Sequence, residues 1–202
     1  MINTLIFDFG DVFINLDKPA IERSLNKLGI STITNEMLEI AMNYEKGLIS
    51  TDVFITSFTK KFPMISNKEF TTAWNSIILD FPEHRLTFIE HLASLKKYKL
   101  ILLSNTNELH IDWVKKHISI YDSFKNCFDT FYLSHEINLR KPNADIFNFV
   151  LKENKIKAEN TLFIDDNSDN IKAAAKLGYH VWNLNPATED ITTLLESKKE
   201  LF

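Results

Sequence analysis

Five short apolar runs, most of them separated by helical patterns, limit the folds that this chain of 202 residues can adopt. The runs are Thr4–Phe9, Leu100–Ser104, Thr130–Leu133, Thr161–Asp165 and His180–Asn183. Their length and apolar character predict buried strands. The helical patterns that follow the second, third and fourth runs are Thr106–His117, Ala144–Glu153 and Asn170–Leu177. Alternation of this kind predicts a doubly wound α/β core with a parallel sheet and helices on both faces.

The stretch between the first two strands departs from this alternation, because it contains helical stripes and no convincing strand. The stripes are Ile21, Leu25 and Leu28; Leu38, Ala41 and Met42; Phe54, Phe58 and Phe62; and, after a Ser66–Glu69 capping box, Phe70, Ala73, Trp74 and Ile77. We therefore expect a core of residues 1–17 and 84–202 with an all-helical cap, residues 18–83, inserted into it. The cap would lie near the carboxyl ends of the strands, where open α/β sheets bind ligands, and would act as a lid.

Polar residues follow the strands at the end where such a sheet binds ligands. Asp8 ends the first strand, Ser104 and Asn105 the second, and Asp165 with Asp166 the fourth; Lys141 lies beyond the third. Taken singly, each has an ordinary explanation as a helix cap, a turn residue or a surface lysine. Their position at the same end of successive strands instead favours an active site.

Composition excludes several classes of function. The formal net charge is −4 and no long basic run is present, which argues against nucleic-acid binding. The N-terminal sequence lacks the features of a secretion signal, and no apolar run is long enough to span a membrane. Cys127 is the single cysteine, which is consistent with a reduced cytoplasm. We expect a cytoplasmic protein with no membrane partner; the oligomeric state stays open.

The order and spacing of the polar residues are similar to a known set of four motifs. Asp8 with Val12, then Ser104, then Lys141, then Asp165–Asp166 resemble the motifs of the haloacid dehalogenase-like hydrolase superfamily, which is mostly phosphatases. The resemblance covers essentially the whole chain and implies a Rossmann-like core with a helical cap. The stretches "LSNTN", "RKP" and "FIDDNSDNI" look closest to the subgroup that contains bacterial alpha-D-glucose-1-phosphate phosphatase.

The resemblance implies catalysis through an aspartyl-phosphate. Asp8 would be the nucleophile, and Lys141 would pair with Asp8 and the phosphate. Ser104 and the backbone N–H of Asn105 would hold the phosphate oxygens. The implied substrate is a small phosphorylated metabolite.

The resemblance also implies Mg²⁺ as the cofactor, since this cation favours hard oxygen ligands and phosphate. Asp8 and Asp166 would bind it through their side chains, and Gly10 through its backbone carbonyl. Asp165 and Asn170 would orient the ligands or the waters around the metal without binding it directly.

Gly10 departs from the pattern of most phosphatases of the superfamily, which carry there an aspartate that protonates the leaving group. A sugar 1-phosphate releases a hemiacetal hydroxyl, which needs protonation less, and Gly10 therefore favours substrates of this class. The alternative is that a cap residue or a water supplies the proton. We expect Asp11, one position further, to be a turn residue that bonds local backbone. Glu45 and Lys46 either face the substrate or form a solvated helix end.

Two other functions stay open at this point. A 2-haloacid dehalogenase also uses an aspartate nucleophile and needs no acid to release a halide, although the Asp165–Asp166 pair would then have no obvious use. A non-catalytic relative could bind a phosphometabolite or a protein, and Gly10 is the one feature that supports it. We expect His110 and His117 to be surface or packing residues.

Overall fold

The computed structural model describes residues 1–202 as five strands, eleven α-helices and three short 3₁₀ turns. The strands are β1 (Thr4–Phe7), β2 (Lys99–Ser104), β3 (Thr130–Leu133), β4 (Thr161–Asp165) and β5 (His180–Asn183). The helices are α1 (Ala20–Lys27), α2 (Asn35–Glu45), α3 (Thr51–Thr59), α4 (Asn67–Asn75), α5 (Glu83–Leu95), α6 (Glu108–His117), α7 (Tyr121–Lys125), α8 (Ser134–Ile137), α9 (Ala144–Asn154), α10 (Ser168–Lys176) and α11 (Leu194–Ser197). The 3₁₀ turns are Ala158–Asn160, Ile191–Thr193 and Lys199–Leu201.

The strands form one parallel sheet in the order β3-β2-β1-β4-β5. The chain thus builds outward from β1 on one side and then crosses to build on the other, which confirms the predicted doubly wound, Rossmann-like architecture. In the register, Phe7 lies opposite Leu102 and Ile164. The carboxyl ends of β1, β2 and β4 therefore meet at one edge of the sheet, where such folds bind ligands.

The central strands β1, β2 and β4 are buried on both faces, which explains why they are continuous apolar runs. Leu5 and Phe7 of β1 belong to a cluster of 25 buried residues on one face. Ile6, between them, belongs to a second cluster of 10 on the other face, together with Phe147 of α9. Alternate side chains of a strand point to opposite faces, so each strand contributes to both layers.

Helices α1–α4, which we call the helical segment, have a hydrophobic cluster of their own with 10 buried residues. Phe54 lies at its centre, stacked on Tyr44 with ring centroids 4.1 Å apart. The predicted capping box of Ser66 and Glu69 is present at the start of α4. The division into a core of residues 1–17 and 84–202 and a cap of residues 18–83, and the action of that cap as a lid, stay predictions.

The stripe predicted for α2 is wrong at Leu38 and Met42, whereas Ala41 packs against the cluster as predicted. Leu38 and Met42 are 50% and 42% exposed, whereas Met37 and Tyr44 are buried. The helix buries a face that is rotated away from the most apolar one, because Tyr44 can stack on Phe54 and bond through its hydroxyl at the same time.

None of the helices combines the length and the apolar character that crossing a membrane requires.

Candidate active site

Three carboxylates meet at the carboxyl edge of the sheet. Asp8 directly follows β1, Asp165 ends β4, and Asp166 comes next; one oxygen of each lies within 4.8 Å of the others. Burial raises the pKa of Asp8 to about 7; the Lys141 ammonium opposes this shift, and the charges of Asp165 and Asp166 add to it. Burial also raises the pKa of Asp166. The positive charge near the three carboxylates therefore does not balance their negative charge.

Lys141 supplies the one buried cation of this cluster. Its Nζ donates to Asp165 Oδ2 at 2.7 Å and to the carbonyl of Leu103 at 2.7 Å, and it lies 2.9 Å from Asp8 Oδ1. An ammonium has three N–H donors, so these partners occupy all of them. Burial lowers the pKa of Lys141, but the two carboxylates outweigh burial and raise it. Lys141 is thus a fixed charge that holds Asp8 in place.

The two neighbouring aspartates have different partners. Asp165 has no exposed surface, and its oxygens accept hydrogen bonds from the Asn167 backbone N–H at 2.8 Å and from Asn170 Nδ2 at 2.9 Å, besides Lys141. Asp166 forms an ion pair with Lys18, whose side chain is 58% exposed. The protein therefore occupies the oxygens of Asp165, whereas Asp166 faces the open side of the cluster.

Asn105 has a structural partner that the sequence does not reveal. Its Nδ2 donates to the Lys141 carbonyl at 2.8 Å, and its Oδ1 accepts from the Lys141 backbone N–H at 3.0 Å. The Asn105 side chain thus fixes the backbone that carries the buried lysine. Ser104, the last residue of β2, is 2% exposed and lies at the same edge.

A cavity of about 270 Å³ opens onto the carboxylates. It brings together Asp8, Gly10, Ser104, Asn105, Asp166 and Asn170, all of which were predicted as site residues. Lys141 and Asp165 lie beneath this surface, both fully buried. The predicted residues therefore lie close together in the structure, while their individual roles stay predictions.

Among the other residues that line the cavity, four have titratable side chains: Lys18, Glu45, His110 and Arg140. Arg140 Nε donates to Glu45 Oε2 at 2.6 Å, which joins the end of α2 to the segment before α9. The sequence offered two possibilities for Glu45, and the structure supports the one in which it faces the site. Lys18 and Arg140 were missed, because each belongs to a segment without a periodic pattern; the position of Arg140 next to Lys141 was the one available signal.

His110 is a packing residue, as predicted, although it also borders the cavity. Its ring stacks on Trp74 at 5.6 Å, and its Nε2 lies 3.1 Å from the Trp74 carbonyl. Since a carbonyl only accepts, Nε2 carries the proton, and Nδ1 accepts from Asn107 Nδ2 at 3.1 Å. Burial lowers the pKa of His110 to about 4, so the ring is neutral near pH 7.

The turn after Asp8 brings Gly10 next to the side chain of Leu16. A Cβ on Gly10 would lie 2.7 Å from Leu16 Cδ1, so Leu16 fills the space next to this residue. The Gly10 carbonyl accepts none of the hydrogen bonds in the protein. Asp11, at φ 55°, accepts from the Leu16 backbone N–H at 3.0 Å, which confirms its predicted part in a local turn.

These residues fit a hard divalent cation. Asp8 and Asp166 offer carboxylate oxygens on the cavity side, and Gly10 offers a free carbonyl. Three carboxylates against one buried ammonium leave negative charge that such a cation would neutralise. Oxygen ligands of this kind are those that Mg²⁺ prefers.

Comparison with known proteins gives concordant findings. A model described as haloacid dehalogenase-like hydrolase matches residues 2–178. D-ribitol-5-phosphate phosphatase of Bacteroides thetaiotaomicron is 27% identical over 212 aligned residues, which cover 98% of this chain and all of that protein. The HAD family enzyme bt-2542 of the same organism, solved as a magnesium complex, is 34% identical with a TM-score of 0.86, over 96% of this chain and 98% of that one. A predicted HAD-like family hydrolase of Porphyromonas gingivalis has a TM-score of 0.86 at 27% identity, over 98% of both chains.

Proposed function

Because this chain belongs to the haloacid dehalogenase-like hydrolase family, we propose that it is a Mg²⁺-dependent phosphatase of small phosphorylated metabolites, with Asp8 as the nucleophile. The proposal is supported above all by the position of Asp8. Its side chain is 13% exposed, it borders the cavity, and Lys141 holds one of its oxygens at 2.9 Å. The second oxygen is therefore left to meet a substrate.

The proposed reaction has two steps. An oxygen of Asp8 attacks phosphorus, the P–O bond of the ester breaks, and an aspartyl-phosphate forms; water then releases inorganic phosphate and restores the carboxylate. Lys141 orients Asp8 throughout. Ser104 and the backbone N–H of Asn105 hold the phosphate oxygens near the start of α6.

The cofactor of the proposed reaction is Mg²⁺. Asp8, Asp166 and the Gly10 carbonyl would hold it, while Asp165 and Asn170 keep the surrounding groups oriented. The bound cation would supply positive charge that offsets the repulsion between Asp8 and a phosphate dianion. The prediction of Mg²⁺ agrees with the magnesium complexes solved for bt-2542, two of which also contain inorganic phosphate.

For the substrate we propose the phosphate ester of a small sugar or polyol. A cavity of about 270 Å³ suits a molecule of this size, and Lys18, Glu45 and Arg140 offer charged groups to its hydroxyls. Gly10 favours sugar 1-phosphates, which release a more acidic hydroxyl. The similarity to a ribitol-5-phosphate phosphatase supports primary polyol phosphates instead. The assay therefore compares the two possibilities: a sugar 1-phosphate, as expected for the subgroup of alpha-D-glucose-1-phosphate phosphatase, and a primary polyol phosphate.

The alternative functions are less well supported. In a 2-haloacid dehalogenase the carboxylate cluster around Asp166 would have no use, since a halide leaves without a metal. A non-catalytic binding protein would not need the buried Lys141 that orients Asp8.

The test is the release of inorganic phosphate from matched substrates by the purified protein, with Mg²⁺ and with EDTA. The set contains glucose 1-phosphate, glucose 6-phosphate and ribitol 5-phosphate, and 2-chloropropionate serves as the dehalogenase arm. We expect Mg²⁺-dependent phosphate release and no halide release. Absence of phosphate release from every ester, or halide release from chloropropionate, would contradict the proposal.

A further inference from the structure

We propose that Lys18, held in place by Asp11, stabilises the leaving oxygen of the phosphate ester, an inference that rests on the proposed phosphatase activity. Lys18 would do this by a charged hydrogen bond. It would thus serve the same oxygen that an acid at position 10 serves in most relatives, without transferring a proton.

The position of Lys18 supports a contact with substrate. It borders the cavity together with Asp8 and Gly10, and its Nζ forms an ion pair with Asp166. Its side chain is 58% exposed, so its stem is free to turn. The ammonium can therefore move from Asp166 to a substrate oxygen in the same cavity.

Asp11 fixes this arrangement from outside the cavity. Its Oδ2 lies 2.9 Å from Lys18 Nζ, while its Oδ1 accepts from the Leu16 backbone N–H at 3.0 Å. Asp11 is only 8% exposed and adopts φ 55°, a left-handed conformation that costs a non-glycine residue about 1 kcal/mol. One carboxylate thus holds both the turn and the ammonium, and Asp11 acts as a positioning residue.

All three cations of the site are paired with protein groups, but they differ in their exposure. The N–H groups of Lys141 are taken by Asp165, Asp8 and the Leu103 carbonyl. Arg140 is bonded to Glu45 and to the carbonyl of Lys141. Gly10 has no side chain that could donate to the substrate, and the end of the Leu16 side chain lies beside it. Lys18, which pairs with Asp11 and Asp166, is the most exposed of the three: its side chain is 58% exposed, against 27% for Arg140 and 0% for Lys141.

The chemical step balances with water as the proton source. As the bond from Asp8 to phosphorus forms, the ester P–O bond breaks and its electron pair goes to the leaving oxygen. Lys18 donates a hydrogen bond to this oxygen and keeps its proton. The oxygen takes a proton from water, and the hydroxide so formed hydrolyses the aspartyl-phosphate.

The experiment compares kcat/KM for ribitol 5-phosphate and p-nitrophenyl phosphate, whose leaving oxygens differ greatly in basicity. For Lys18→Met we expect a loss of roughly 100-fold with the alkyl ester, the scale of one lost transition-state donor, and a loss below about 5-fold with the aryl ester. Lys18→Arg should restore most of the alkyl activity. Lys27→Met, on the exposed face of α1, is the matched control and should behave as wild type.

Asp11→Asn tests the positioning role, because asparagine keeps the acceptor for Leu16 and removes only the charge that faces Lys18. We expect roughly a 10-fold loss with the alkyl ester, and no further loss when Asp11→Asn is added to Lys18→Met. The inhibition constant of inorganic phosphate, which has no leaving group, should change less than about twofold in Lys18→Met.

Equal losses with both esters, or a parallel weakening of phosphate inhibition, would overturn the proposal, because Lys18 would then bind the phosphate itself. Additive effects of Asp11→Asn and Lys18→Met would overturn the positioning role. Either result would overturn only the role of Lys18 or Asp11, because the wild type would still hydrolyse the esters. A wild-type protein that hydrolyses neither ester would instead overturn the phosphatase function, and this inference with it.

Discussion

The side chain of Asn105 and the backbone of Lys141 exchange two hydrogen bonds, with Nδ2 donating at 2.8 Å and Oδ1 accepting at 3.0 Å. This pair joins the end of β2 to the segment that precedes α9, across 36 positions of sequence. It holds the backbone at Lys141, whose buried side chain pairs with Asp8 and Asp165. The geometry of the nucleophile therefore depends on an amide that touches no carboxylate.

Asn105→Ala should lower kcat by roughly 10- to 100-fold, because both bonds to the Lys141 backbone are lost and the ammonium shifts from Asp8. Asn143→Ala is the matched control, since Asn143 lies in the same segment, is exposed and forms no side-chain cap bond. Steady-state kinetics with one phosphate ester measures both variants. Wild-type kcat in Asn105→Ala would show that Lys141 is positioned without this amide.

Asp165 and Asp166 should differ in what their removal costs. Asp165→Ala leaves the buried Lys141 with one carboxylate and should lower the free energy of unfolding by roughly 3–5 kcal/mol. Asp166→Ala loses only a partly exposed ion pair and should change it by less than about 1 kcal/mol. Urea denaturation in EDTA measures both values.

The activities should follow the opposite order. Asp166→Ala should lose Mg²⁺-dependent turnover and the rise in Tm that Mg²⁺ causes, whereas Asp165→Ala should be milder in kcat below its melting temperature. A Mg²⁺-induced rise in Tm that survives in Asp166→Ala and vanishes in Asp165→Ala would reverse the assignment of the two residues.

Gly47 should not accommodate a side chain, because it lies in close contact with the backbone of α8. A Cβ on Gly47 would lie 2.0 Å from the carbonyl oxygen of His135, while Gly29, also at positive φ, has nothing within 4 Å. Gly29→Ala should therefore cost about 1 kcal/mol of unfolding free energy from backbone strain alone. Gly47→Ala should cost at least about 2 kcal/mol more, measured by chemical denaturation; equal costs would contradict the close contact.

His110 should make the stability of the fold depend on pH. Burial lowers its folded pKa to about 4, while an unfolded histidine titrates near 6.5. Between these values the unfolded chain binds a proton that the folded chain does not, so stability falls as pH decreases from about 6.5 to about 4. The loss is on the order of 2 kcal/mol, since the ring borders a cavity and is partly screened.

His110→Gln removes the titrating group and keeps an amide that can bond to Trp74 and Asn107. Its Tm should decrease less than that of the wild type over this pH range, with thermal melting recorded at matched ionic strength. Parallel Tm curves for the two proteins would show that His110 does not titrate as proposed.

The sequence predicted the sheet well, because strands buried on both faces are continuous apolar runs with clear ends. β3, β4 and β5 have the predicted limits, and β2 begins one residue earlier than predicted. β1 ends at Phe7, two residues early, because the chain turns at Asp8 toward the carboxylate cluster. Hydrophobic periodicity predicted the wrong buried face for α2. The buried face is the one that carries Tyr44, whose ring stacks on Phe54 and whose hydroxyl accepts a hydrogen bond, and Leu38 is left exposed.

The polar edge of the site was predictable because each residue follows a strand. The roles of Lys18, Arg140 and the side chain of Asn105 were not predictable, since their partners lie far away in sequence; only the position of Arg140 next to Lys141 gave a local signal. Asp11 was predicted as a turn residue, and its second bond, to Lys18, emerged only from the fold.

The nucleophile is tested most directly by phosphate release from Asp8→Asn and wild type with Mg²⁺, using the ester that the wild type hydrolyses best. Asparagine keeps the volume of Asp8 and an oxygen that can accept from Lys141, so thermal melting should show a folded protein. We expect turnover to fall at least about 1,000-fold, because the attacking carboxylate is lost. Near wild-type phosphate release by the folded variant would contradict the role of Asp8 and the proposed mechanism with it.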